Sequence, residues 1–228
     1  MHRETLLVDA DDTLWENNRF FEDAIGRYLL LMGREGLERE AVRARLDQTE
    51  KKNIPRHGYG TRSFVVSMEE AYRALAGPRW RRSILDEIAR LGQELGAAPT
   101  QIFEGVPETL AYLSSRHRLI LFTKGESAEQ TEKIERSGLR PFFEGVEIAN
   151  EKSVGAFKQM IDRYRILKRH GWMVGNSPRS DINPALRAGL NAVFVPSTMP
   201  WDFEQEAVRS GEGKLIVVRC FRHLSRYF

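Results

Sequence analysis

The chain has 228 residues, enough for one large domain or for a core carrying a smaller insert. Hydrophobic residues make up 41 % and charged residues 29 %, as in an ordinary globular protein. The net charge is only +3 and the arginines are spread along the chain, which argues against a nucleic-acid surface. The single cysteine, Cys220, excludes an internal disulfide and agrees with a reducing cytoplasm. No apolar run is long enough to cross a membrane, and the first one stops at Asp9, too early for a signal peptide.

Thr5-Leu6-Leu7-Val8 is a short apolar run bounded by polar residues, which predicts a buried parallel strand. From Trp15 to Pro99 the pattern is helical. Phe20, Phe21, Ala24, Ile25, Tyr28, Leu29 and Met32 recur at helical spacing before Gly33 and Gly36. Further helices are predicted over residues 38–51, 63–75 and 79–95. Beyond Ile102 the character changes back. Helices are predicted at 106–115 with Pro107 in the first turn, at 127–137 with Gly138 as C-cap, at 154–170 and at 184–188. Strands are predicted at 118–123, 146–148, 172–174, 192–195 and 215–218. Trp201, Phe203, Phe221 and Phe228 read as packing for a C-terminal extension, and His2, His117, His170 and His223 as turn or surface residues. Strands alternating with helices imply an α/β fold: a Rossmann-like parallel sheet with helices on both faces. Residues 1–14 and 100–228 form that core, and residues 15–99 are a helical insert.

In such a sheet the chemistry gathers beyond the carboxyl ends of the strands. Those ends carry Asp9, Asp11, Asp12 and Thr13; Thr123, Lys124 and Gly125; Glu151 and Lys152; and Asn176, Ser177 and Asp181. The set suits phosphoryl transfer to a carboxylate. Asp9 would attack phosphorus, and Asp11 would protonate the leaving oxygen and then activate water. Thr123, with the backbone N–H groups of Lys124 and Gly125, would hold the phosphoryl oxygens. Lys152 would balance the charge, with Lys124 and Lys158 as rival lysines. Asp9, Asp11, Asp181 and Asn176 supply oxygen ligands suited to Mg2+. Asp12 reads as a cap for its own turn.

These residues resemble the four motifs of the haloacid dehalogenase-like hydrolase superfamily, in the family order. Asp9-Ala10-Asp11-Asp12-Thr13 matches D-x-D-x-T, Leu121-Phe122-Thr123 the strand ending in Thr, Lys152 the lysine, and Gly175 to Asp181 the acidic strand end. Asn176 departs from the pattern, standing where an acidic ligand is usual. The resemblance implies a phosphatase with a helical cap at 15–99, acting on a small phosphorylated metabolite as a monomer or homodimer. The run Pro55 to Arg62, with Arg56, His57, Tyr59 and Arg62, is the candidate specificity loop of that cap; a plain helix connection is the other reading. Two rival functions stand beside the phosphatase. One is dehalogenation, which Asp11 argues against because dehalogenases of this superfamily resemble D-x-Y. The other is a non-catalytic binding or regulatory protein, which Asn176 favours.

Overall fold

The computed structural model describes residues 3–209, 211 and 213–228; His2 lies outside them. The chain divides into two compact units, one made of residues up to Asn18 with Thr100–Phe228, the other of Arg19–Pro99. The boundary falls at Asn18 rather than at residue 14. Trp15 pairs with Ile102 and Asp11 through isolated bridges, and its ring is fully buried in the core of the first unit.

The Arg19–Pro99 unit is built from four helices: α1 (Asn18–Arg34), α2 (Arg39–His57), α3 (Thr61–Ala76) and α4 (Arg82–Gly96). Their apolar faces share one core around Tyr28, Met32, Leu46, Met68, Tyr72 and Ile88. The Tyr28 hydroxyl stays satisfied there by donating to the Met68 carbonyl at 2.9 Å. Helix α2 runs six residues past the predicted end at Lys51, carrying Pro55 inside its last turn. The predicted loop of Pro55 to Arg62 therefore shrinks to Gly58–Gly60. Helix α4 starts at Arg82 rather than Arg79, because Gly77–Arg79 forms a separate 3-10 turn.

The first unit holds a six-stranded sheet of β1 (Thr5–Val8), β2 (Arg118–Lys124), β3 (Gly145–Ala149), β4 (Gly171–Gly175), β5 (Asn191–Phe194) and β6 (Leu215–Val217). The order is β3-β2-β1-β4-β5-β6, and every neighbouring pair is parallel. Alternate residues of each strand feed opposite cores. Leu6, Val8, Leu119, Leu121, Trp172 and Val174 face one layer with Leu110 and Leu113 of α5 (Val106–Ser114) and Ile134 of α6 (Ser127–Ser137). Leu7, Ile120, Phe122 and Met173 face the other with Phe157 and Met160 of α7 (Val154–Arg163) and Ala185 of α8 (Asn183–Arg187). Burial on both faces explains why the strands read as unbroken apolar runs.

Helix α7 stops seven residues short of the predicted end. Arg165 adopts a left-handed conformation (φ 50°), Arg165 N–H donates to Asp162 O, and Ile166 N–H reaches back to Ile161 O at 2.9 Å. This is a Schellman ending without the usual glycine, so the sequence carried no stop signal. His117 is also not a surface residue: it is buried, and its ring meets Phe228 edge-on at 5.9 Å.

Candidate active site

The strand order reverses between β1 and β4, and the crevice of such a sheet opens at that switch point. Val8, the last residue of β1, pairs with both Leu121 and Val174, while β4 runs one residue and β2 three residues further. Asp9 leaves β1 there, its N–H donating to Val174 O at 2.9 Å. Lys152 arrives from the segment between β3 and α7. Its ammonium donates to Asp9 Oδ1 at 2.5 Å and to Asp181 Oδ1 at 2.7 Å, and it is 2 % exposed. The Phe122 ring lies beneath it, centroid 5.5 Å away. Asp181 sits in a π-helical turn, Pro178–Ile182, with its other oxygen accepting from Ser177 N–H at 3.0 Å. Gly175 makes room for it: a Cβ there would lie 2.2 Å from Asp181 Oδ2.

One ammonium thus serves two buried carboxylates, leaving a negative charge uncompensated. Burial and then the Asp181 charge push the Asp9 carboxyl up to about 7, against the opposing pull of Lys152. For Lys152 burial disfavours the charge, but Asp181 and Asp9 outweigh it and hold the ammonium above its ordinary range.

Thr13 Oγ1 lies 2.9 Å from Asp9 Oδ2 and 3.3 Å from Asn176 Oδ1. With one hydrogen it satisfies one of them at a time. Among the described residues no group of three or more His, Cys, Asp or Glu could hold a metal ion by itself. The oxygens that do converge, from Asp9 and Asn176, together with the uncompensated charge, fit a magnesium ion that completes its shell with water and substrate oxygens. The oxygens of Asp181 are already engaged by Lys152 and Ser177, and those of the Asp11 carboxylate by other donors.

Asp11 Oδ1 accepts from Trp15 Nε1 at 2.7 Å, and Oδ2 from Gln130 Nε2 at 2.8 Å. Lys133 approaches both oxygens at 3.2–3.3 Å and donates to Asn17 Oδ1 at 2.8 Å. Asp12 does not cap its own turn. In a left-handed conformation (φ 58°), it accepts from the N–H groups of Asn17 and Asn18. Burial, only partly offset by those bonds, raises its carboxyl to about 6. Thr123 is 1 % exposed, with its hydroxyl 3.5 Å from Gln130 Oε1.

With this geometry in place, the comparison with known families is direct. The family model for haloacid dehalogenase-like hydrolases matches residues 4–189. The chain belongs to the haloacid dehalogenase-like hydrolase family. A phosphoserine phosphatase of Thermus thermophilus is 30 % identical over 148 residues, 55 % of this chain and 58 % of that protein. The chain therefore matches less than two thirds of the length of that relative. A glyceraldehyde 3-phosphate phosphatase of Methanothermobacter thermautotrophicus is 26 % identical over 86 % of this chain and 87 % of its own. A haloacid dehalogenase-like family hydrolase of Xanthomonas campestris has the same fold, with a TM-score of 0.86 at 24 % identity over 99 % of this chain and 94 % of that one. No helix among the described residues is long and apolar enough to cross a membrane.

Other candidate residues of this hydrolase stand in different surroundings. Lys124 donates to Ser180 Oγ at 2.8 Å and forms an ion pair with Glu204. Glu204 also accepts from Ser177 Oγ and Ser180 Oγ, each at 2.5 Å. Burial disfavours the Glu204 charge, but Lys124 and the two hydroxyls outweigh it and hold the carboxyl below its ordinary range. The Gly125 N–H donates to Ala149 O at 3.1 Å, so it prolongs the β2–β3 ladder rather than facing the crevice. Arg56 and His57 close the last turn of α2, Tyr59 lies between two glycines, and Arg62 is in the first turn of α3. Arg56, His57 and Arg62 are exposed and Tyr59 is half-buried. Sequence reasoning missed Gln130, Lys133 and Glu204. All three are common polar types on helix or turn positions, and only the fold brings them to the strand ends.

Proposed function

We propose that this hydrolase is a Mg2+-dependent phosphatase of small phosphate monoesters. The observation that carries the reading is a buried carboxylate, Asp9, held at the switch point by Lys152, with a second carboxylate two residues on. The names of the two phosphatase relatives, both for small phosphate esters, support the substrate class.

Asp9 attacks phosphorus as the ester P–O bond breaks, giving an aspartyl-phosphate. Asp11 gives its proton to the departing oxygen, recovers one from water, and that water releases phosphate and frees Asp9. Thr123 donates to a phosphoryl oxygen. Lys152 screens the repulsion between nucleophile and substrate, and Asp181 acts through Lys152 by fixing where its ammonium lies. Asp9 and Asn176 would hold the magnesium, which supplies positive charge at the phosphoryl oxygens when bound. The Arg19–Pro99 unit is the specificity cap, with Arg56, His57, Tyr59 and Arg62 as its substrate-reading residues. The protein works in the cytoplasm as a monomer or homodimer.

Hydrolysis of p-nitrophenyl phosphate tests the reading. Activity that requires Mg2+, is removed by a chelator and disappears in Asp9→Asn is expected. Halide release from 2-chloropropionate, or no turnover across a panel of phosphorylated metabolites, would overturn it. In the cap, the double substitution Arg56→Ala with Arg62→Ala should raise KM roughly tenfold and leave kcat within about twofold. Unchanged KM on the best substrate removes those arginines from the substrate site.

A further inference from the structure

Asp11 has one neutral donor on each oxygen, the Trp15 indole on Oδ1 and the Gln130 amide on Oδ2, beside the Lys133 ammonium that reaches both. Two bonds on opposite oxygens set the plane in which a carboxyl group lies, which a single ion pair does not. Gln130 comes from the first turn of α6, its backbone N–H bonded to Glu126 O at 2.9 Å, and its side chain is 3 % exposed. The amide nitrogen of Gln130 faces Asp11 Oδ2 at 2.8 Å and its oxygen faces Thr123 Oγ1, 3.5 Å away. The chain also makes space for this side chain. A Cβ at Gly125, whose φ is 147°, would lie 2.8 Å from Gln130 Nε2 and 2.9 Å from its Cγ. A buried amide that touches both the acid and the phosphoryl-binding hydroxyl, reached through a position bare of side chain, is placed for more than filling space.

We propose that Gln130 is a positioning residue for the reaction: it aims the Asp11 carboxyl at the leaving-group oxygen and keeps it in register with Thr123. The proposal rests on the reading of Asp11 as the acid. It predicts a defect in kcat/KM, which reports the step up to departure of the leaving group, confined to substrates whose leaving group needs a proton; the later water step is common to all esters and enters kcat alone. p-Nitrophenyl phosphate expels a phenolate that leaves unprotonated, whereas 2-phenylethyl phosphate expels an alkoxide that does not.

The test measures both esters in Gln130→Met and in Gln130→Glu. Gln130→Glu keeps the length and the acceptor for Thr123 but removes the donor to Asp11. On the alkyl ester, kcat/KM should fall on the order of 10- to 100-fold, within the range of general acid catalysis. On the aryl ester kcat/KM should change by less than about threefold. An equal fall on both esters, or no fall, overturns the proposal, since a role in folding alone would not tell the esters apart. If Gln130→Met does not fold by thermal melting, the Glu variant decides alone. Asp11→Asn separates the two readings. If it fails to split the esters, the assignment of Asp11 as acid is wrong. If it splits them and the Gln130 variants do not, the fault lies with the inference about Gln130.

Discussion

Two clusters of buried charge stand at the strand ends of the same unit, and they are balanced differently. Lys124 forms an ion pair with Glu204, and two serine hydroxyls donate to the same carboxylate. Around Lys152 one ammonium meets two carboxylates, Asp9 and Asp181. The acid of the first cluster is held below its usual range; in the second, one ammonium faces two carboxylates and the acid is raised to about 7. A satisfied cluster ties chain segments together. An unsatisfied one is poised to take up a cation and an electrophile, and that is the difference between a structural tie and a reactive centre.

The largest effect should come from the reactive cluster. Asp9→Asn is expected to lower kcat by roughly 10⁴-fold or more in a steady-state assay, since it removes the proposed nucleophile. Lys152→Met should follow, at about 10²–10³-fold in kcat, the usual loss for one electrostatic partner. It should also lower unfolding free energy by roughly 3–5 kcal/mol in denaturant titration, because it strands two carboxylates in a buried site.

The Lys124 cluster should respond in stability alone. Lys124→Met is expected to cost on the order of 3 kcal/mol by leaving the half-buried Glu204 without its ion-pair partner. Glu204→Gln should cost less, about 1–3 kcal/mol, because an amide still accepts the serine hydroxyls. It should keep kcat within about threefold. A collapse of kcat in Glu204→Gln would erase the distinction between the clusters.

The smallest effect is the most diagnostic, because the two clusters have opposite pH signs. The Asp9 carboxyl titrates near 3.8 unfolded and about 7 folded, so the folded chain keeps a proton that the unfolded chain has lost. Its contribution to stability is therefore present at low pH and is lost as pH rises from about 4 to about 7. The melting temperature of Asp9→Asn minus that of the parent should rise over that window by on the order of 5 °C. Added Mg2+ should flatten the rise, since a bound cation favours the ionised form. Glu204 is depressed below 4.5, so its contribution is complete above that pH and is lost as pH falls below it. The penalty of Glu204→Gln should therefore fade in acid.

The meeting of Asp9, Lys152 and Asp181 could be anticipated from the sequence because Asp9 follows a buried apolar run directly, while Lys152 and Asp181 lie three and six residues beyond the ends of β3 and β4. Short apolar runs placed the strands, most plainly β1, β2 and β4, which are buried on both faces. The rest was hidden for physical reasons. Gln130 and Lys133 are ordinary polar residues of an amphipathic helix, and nothing local shows that α6 turns them toward Asp11. Glu204 lies in an irregular segment, and its partners come from β2 and the turn after β4. The end of α7 was misread because Arg165 takes a conformation that glycine usually signals. The end of α2 was misread because Pro55 is carried in a last turn where a break is the ordinary expectation.

The distance along the chain between Asp9 and Lys152 has a consequence for how this protein gains activity. The two are 143 residues apart, whereas Lys152 and Asp181 are only 29 apart. A contact of that span closes late, since the entropy of bringing such distant segments together is recovered only after the intervening structure exists. A chain with its helices formed but its central strands unpaired would have a nucleophile with no counter-ion and no competent centre. Activity is therefore a report on the completed sheet, and in refolding it should return after the helical signal.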